Sequence, residues 1–151
     1  MVKFGKLLKG KDRLGDADPE IRRRAIQELN PQKGESLQAE LADLAQHDSD
    51  IPVRLACVEK LTEPDLLGVL LDQPALTQAA ATRIATLMGA GNPCSFAGHP
   101  LVLRERLLIA GSDEEVKELI EEITHGISDL EILLDLVLRA KQELREPLLA
   151  L

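Results

Sequence analysis

Apolar residues recur along this chain at helical rather than strand spacing. From Asp18 onward, Ile21, Ala25, Ile26 and Leu29 fall at i, i+4, i+5 and i+8, which is one stripe of an α-helix. Thirty-two residues later the same spacing returns as Val53, Cys57, Val58 and Leu61. The polar positions repeat with them. Asp16, Asp18 and Arg22 in the first copy align with Asp48, Asp50 and Arg54 in the second. An Asp ahead of each stripe can accept hydrogen bonds from the unpaired N–H groups of a helix start. Pro19 and Pro52 stand in the first turn, where a missing N–H costs little. A third, degraded copy begins near Asp72-Gln73-Pro74 and runs through Ala79, Ala80 and Ile84 without the Arg.

Between and beyond the copies the pattern predicts further helices. One starts at Ser36 with Leu37, Leu41, Leu44 and Ala45 on one face, and ends at the polar turn of His47 to Asp50. Thr62-Glu63-Pro64-Asp65 has the form of a capping box opening a short helix through Leu66, Leu67, Leu70 and Leu71. Residues 75–88 and 100–110 read as helices. A second capping box at Ser112 precedes the stripe Val116, Leu119, Ile120 and Ile123, whose outer face carries Glu114, Glu115, Glu118, Glu121 and Glu122. A third box, Ser128 to Glu131, opens a last helix that is apolar on most sides. Leu130, Leu134, Val137, Leu138 and Leu144 make it a candidate interaction surface, because a terminal helix of a stack normally needs a polar outer face. Something further is expected to pack there, either a partner chain or more of the same sequence.

The organisation expected is a basic segment over 1–15, repeats over 16–88, an irregular loop over 89–100, further helices of the same domain over 101–146, and an apolar end over 147–151. Composition agrees with an all-α core. The chain has 151 residues, two Phe, and no Trp or Tyr, so Leu, Ile, Val and Ala must fill the interior. Net charge is −8, yet residues 1–24 carry +4 and the remainder −12. An acidic body speaks against a nucleic-acid groove along its length. Lys3, Lys6 and Lys9 surround Phe4, Leu7 and Leu8. That segment reads either as a short anchor for a membrane surface or as a terminus docking on the first repeat. No stretch is long and apolar enough to cross a bilayer and no secretory signal is evident, so a cytoplasmic setting is expected.

Catalytic, cofactor and metal residues are not expected. Cys57 lies on the apolar stripe. Cys94 and His99 share the irregular loop, but no further Cys or His completes a tetrahedral metal set. Phe96 is expected to fill a gap between the two halves of the stack.

The pattern D-x-D-x-x-V-R-x-x-A-V-x-x-L, which Asp48 to Leu61 follows with Cys57 at the Ala position, resembles HEAT-like repeats. The resemblance implies antiparallel helix-pair repeats stacked as a short α-solenoid. It also implies that Asp18, Arg22, Asp50 and Arg54 bridge neighbouring repeats. Phe4 to Lys9, Pro19 to Leu29 and Asp48 to Leu67 are further similar to the N-terminal region of bacterial proteins carrying the domain of unknown function 349. That family supplies no catalytic residues. The expected role is a non-catalytic scaffold that binds a protein or itself through the last helix. The alternatives are an enzyme on such a scaffold, such as a bilin-lyase-like protein, or a membrane-surface module acting through residues 1–9.

Overall fold

A computed structural model describes residues 13–31 and 34–126. Among them every regular element is an α-helix: α1 (Pro19–Glu28), α2 (Glu35–His47), α3 (Ile51–Lys60), α4 (Pro64–Gly68), α5 (Thr77–Gly89), α6 (Pro100–Ile109) and α7 (Asp113–Gly126). No helix among the described residues is long and apolar enough to cross a membrane.

The two repeated copies start alike. Asp18 accepts the Glu20 N–H at 2.9 Å and Asp50 accepts the Val53 N–H at 3.0 Å, so each caps its own helix. One step earlier, Asp16 accepts the Asp18 N–H and Asp48 the Asp50 N–H, both at 2.9 Å, fixing the same turn ahead of each helix. The remaining helix starts differ. Gly34 precedes α2 at φ 103°, a conformation that side-chain-bearing residues rarely adopt. His99 caps α6 by accepting the Leu101 N–H through Nδ1. Ser112 Oγ accepts the Glu115 N–H ahead of α7, and Glu115 reaches back to the Gly111 N–H.

The Thr62 box does not form. Glu63 stands before α4 without a side-chain cap, and the Thr62 N–H is taken by Gln38 Oε1 at 2.8 Å. Gln38 is itself buried and donates to the Pro31 carbonyl, so it ties the α1–α2 turn to the α3–α4 link. The α4 helix is correspondingly short, ending at Gly68, and Leu70 and Leu71 reach the core from the turns that follow. Thr77 opens α5 two residues later than the pattern predicts, with its hydroxyl donating to the Leu71 and Gln73 carbonyls.

Helix α3 packs on α1, α2 and α5; α4 packs on α5, α5 on α6, and α6 on α7. One apolar cluster runs from Leu14 through Ile26, Leu41, Val53, Leu61, Leu70 and Ile84 to Val102. Its aliphatic character follows from the near absence of aromatics. The stripe of α7 (Val116, Leu119, Ile120 and Ile123) is buried as its spacing predicts. The stripe of α1 departs from its alignment. Val53 is completely buried on α3, whereas its counterpart Ile21 is 37% exposed, because α1 lacks the described neighbours that enclose α3.

Candidate functional site

The chemistry-bearing side chains converge on the seams between helices. Arg22 leaves α1 and pairs with Asp48, the residue that shapes the start of α3. Its Nε donates to Oδ2 at 2.8 Å and its Nη2 to Oδ1 at 2.7 Å, a two-pronged contact suited to the planar guanidinium. Its Nη1 turns the other way, to the Asp16 carbonyl at 2.8 Å and the Ala17 carbonyl at 3.2 Å. Arg54 repeats the gesture. Its Nε donates back to the Ala45 carbonyl at 2.8 Å, and its Nη2 reaches forward to Gln73 Oε1 ahead of α5. Each arginine therefore joins a preceding carbonyl to a side chain at the start of the next helix of the series.

The opposite helix ends are tied by cations as well. Lys60 Nζ donates to the Gln27 carbonyl at 2.8 Å and the Leu29 carbonyl at 3.1 Å, where α1 ends. Arg83 Nε donates to the Leu61 carbonyl at 3.0 Å, where α3 ends. These carbonyls have no partner within their own helix, and a cation there also meets the negative end of the helix dipole. Of the four residues that the resemblance singles out, the structure thus places Asp18 and Asp50 as caps of their own helices, and Arg22 and Arg54 across seams. Asp48, Gln73, Lys60 and Arg83 complete the contacts. The offset of 32 aligns Asp48 with Asp16, but nothing in the local pattern marks Gln73 or the two capping cations.

Electrostatics at the Arg22 seam follow from its geometry. Burial by itself would raise the Asp48 carboxyl. Hydrogen bonds from Arg22 and the Asp50 N–H, with the charges of Arg22 and Arg54, hold it below its ordinary 3.8.

A second polar cluster lies between α5 and α6, where the sequence offered only an ordinary helix. Arg104 and Glu105 are each 6% exposed and pair with one another at 2.8 Å. Arg104 Nη2 also donates to Gln78 Oε1, and Glu105 Oε2 accepts the Thr82 hydroxyl at 3.0 Å. Burial pushes the Glu105 carboxyl up, but hydrogen bonds with Gln78, Arg104 and Thr82 outweigh it, so it too titrates below its ordinary value. The cluster keeps two buried charges compensated, and both are engaged with neighbours.

The cysteines show no activation. Cys57 is fully buried, and burial with the Asp48 charge pushes its thiol up to about 12. Cys94, half-buried, is also raised, chiefly by burial, and its Sγ accepts the Phe96 N–H. With a thiol-reactive disulfide reagent, one thiol is expected to react in the native protein and both after unfolding. Two native-state equivalents would contradict the burial of Cys57.

The loop that holds Cys94 and His99 is fastened to α4. Asp65 Oδ1 accepts the Ser95 N–H at 2.8 Å and its Oδ2 accepts the Ser95 hydroxyl at 3.2 Å. The Phe96 ring lies directly on Gly68. No group of three or more potential metal ligands occurs among the described residues. A groove of about 180 Å³ runs between the starts of α1 and α3, lined by Pro19, Glu20, Arg23, Asp50 and Pro52. A smaller one of about 80 Å³, between α5, α6 and α7, includes Met88, Arg106, Ile109 and Glu115. Leu130, Leu134, Val137, Leu138 and Leu144, and the basic residues 1–9, lie outside the described residues. No family model, curated protein or solved structure matches the chain.

Proposed function

We propose that this chain is a non-catalytic, cytoplasmic scaffold for protein–protein interaction, built from HEAT-like helix pairs stacked as a short α-solenoid. One observation carries the reading: the arginine at the fourth position of a helix twice reaches the turn ahead of the second helix on, as Arg22 of α1 to Asp48 before α3 and as Arg54 of α3 to Gln73 before α5. The donor repeats at the offset of 32 while its acceptor does not, so the shared feature is an arginine spanning from one repeat to the next, and stacked units offer extended surfaces to partners. Asp18, Asp50 and His99 cap helices, Arg22 and Arg54 span seams, and Cys57 packs in the core.

Partner binding or self-association through Leu130, Leu134, Val137, Leu138 and Leu144 belongs to the same proposal. Its test is capture of partners on the immobilised full chain, followed by reconstitution from purified components and calorimetry. The expected result is a saturable complex of fixed stoichiometry, weakened by Leu134→Glu or Leu138→Glu while the far-ultraviolet spectrum is retained. Failure to reconstitute any captured protein at fixed stoichiometry, together with a strictly monomeric chain at all concentrations in light scattering, would overturn it.

A further inference from the structure

Residues 92–98 link α5 to α6 and lie against α4. Both ends of the link are pinned. Asn92 donates its N–H and its Nδ2 to the Leu87 carbonyl at the end of α5, at 3.1 and 2.9 Å. His99 caps α6. Between the pins the segment bonds to itself by long contacts. The Ala97 N–H meets the Cys94 carbonyl and the Phe96 N–H meets the Cys94 Sγ, both at 3.4 Å.

Two contacts fasten the segment to α4. Asp65 accepts the N–H and the hydroxyl of Ser95, and both residues are exposed, so water competes for these bonds. The Phe96 ring sits where Gly68 has no β-carbon, and it is half-buried against the core, as is Cys94. The helices at either end have a fastening of their own. Helix α6 holds α5 through Arg104 on Gln78 and Glu105 on Thr82, in the buried cluster. The backbone can also turn at both ends of the segment. Gly91, at φ 90°, and Gly98 have nothing within 4 Å of the place a β-carbon would take.

We infer that residues 92–98 form a strap over α4 that opens as a unit while the helices stay folded, lifting the Phe96 ring from its niche on Gly68 and freeing Ser95 from Asp65. The closed strap shields Cys94 and the niche; the open strap bares both. Such a local opening needs less free energy than global unfolding, because it gives up one exposed polar contact and one half-buried ring and leaves the seams between helices intact. The inference stands apart from the scaffold reading and neither requires the other.

The two cysteines supply the test, since Cys94 reports the strap and the fully buried Cys57 reports global unfolding. Labelling rates of the full chain with a thiol-reactive disulfide reagent are measured across urea concentrations below the unfolding transition. Cys94 is expected to label about ten-fold or more slowly than in the unfolded chain, with a rate nearly independent of urea. Cys57 is expected to label more slowly still, with a rate that rises steeply with urea. Phe96→Ala leaves the Asp65 charge beside the thiol in place and is expected to speed Cys94 labelling about ten-fold or more. Amide exchange of the natural chain gives a second reading without any substitution. The Ser95, Ala97 and His99 amides are expected to exchange together, faster than those of Val53 and Ile84 and with the weak urea dependence of Cys94. A common rate and urea slope for Cys94 and Cys57 would overturn the inference. So would labelling of Cys94 at the unfolded-chain rate, or strap amides that exchange only with the core.

Discussion

Asp48→Ala is expected to destabilise the chain by about 3 kcal/mol, near the lower end for breaking a buried ion pair by removing one member. The Arg22 and Asp48 side chains are only 11% and 4% exposed. Deleting the carboxylate leaves the guanidinium with its two backbone carbonyls but without a counter-charge, and strips the Asp50 N–H of its acceptor. Arg22→Met should cost a similar amount, because it leaves the more buried Asp48 carboxylate with the Asp50 N–H but without its paired guanidinium. The double variant Arg22→Met/Asp48→Ala should be less unstable than the sum of the two, with the shortfall measuring the pair. Urea unfolding followed by circular dichroism is the suitable measurement, since the chain has no Trp or Tyr for fluorescence. An Asp48→Ala cost below about 1 kcal/mol, the scale of an exposed pair, would show that the seam does not hold the helices together.

The pH dependence has a definite sign. The folded-state pKa of Asp48 lies below its ordinary 3.8, so the native state favours the ionised form. That contribution is present in full above the ordinary value and is lost as pH falls through the lower, folded value. The stability gap between the natural chain and Asp48→Asn should therefore be widest near neutrality and close below about pH 4. Glu105 acts in the same direction from its ordinary 4.5, so Asp48→Asn should retain part of the acid-induced loss.

Much of this was legible in the residues, and the remainder was not for identifiable reasons. Helix starts at Asp18 and Asp50 follow from local chemistry: a carboxylate, a proline and an apolar stripe within one turn. The stripe of α7 is legible for the same reason. The forward partner of Arg54 was not, because Gln73 sits 19 residues away in a turn and has no counterpart by offset. Arg104 and Glu105 were invisible because any pattern reading sends adjacent charges to solvent. Only tertiary packing on α5 supplies Gln78 and Thr82 to compensate them. Thr62 shows the converse error. Its sequence satisfies a capping box, but its N–H is claimed by Gln38, 24 residues away in the chain, and a long-range contact overrides the local signal.

Phe96 is expected from the sequence to fill a gap between the two halves of the stack, and its contact with Gly68 makes a sharper test possible. A β-carbon added to Gly68 would lie 1.9 Å from Cε2 of Phe96 and 2.3 Å from Cδ2 and Cζ, distances that no real contact tolerates. Gly68 is buried at the end of α4, so the ring must move. The backbone that carries the ring is held, since Asp65 accepts two hydrogen bonds from Ser95 and the Phe96 carbonyl accepts the His99 N–H at 3.0 Å ahead of α6, so the ring must leave by its own torsions and give up its contact with the core. Alanine for glycine within a helix would by itself gain about 0.5–1 kcal/mol, whereas overpacking a closed contact costs about 1–3 kcal/mol. The expected net effect of Gly68→Ala is a loss of about 2 kcal/mol. Phe96→Ala, which uncovers part of the core beneath a half-buried ring, should cost about 2 kcal/mol as well, below the range for fully buried aromatics. In the Phe96→Ala background the clash partner is gone. Gly68→Ala should then be neutral or stabilising, a coupling of about 2 kcal/mol or more between two residues 28 positions apart. If Gly68→Ala costs the same in both backgrounds, the ring does not rest on that glycine. The loop from Asn92 to His99 would then be fastened to α4 through Asp65 alone, and Asp65→Ala rather than Phe96→Ala would be the change that releases it.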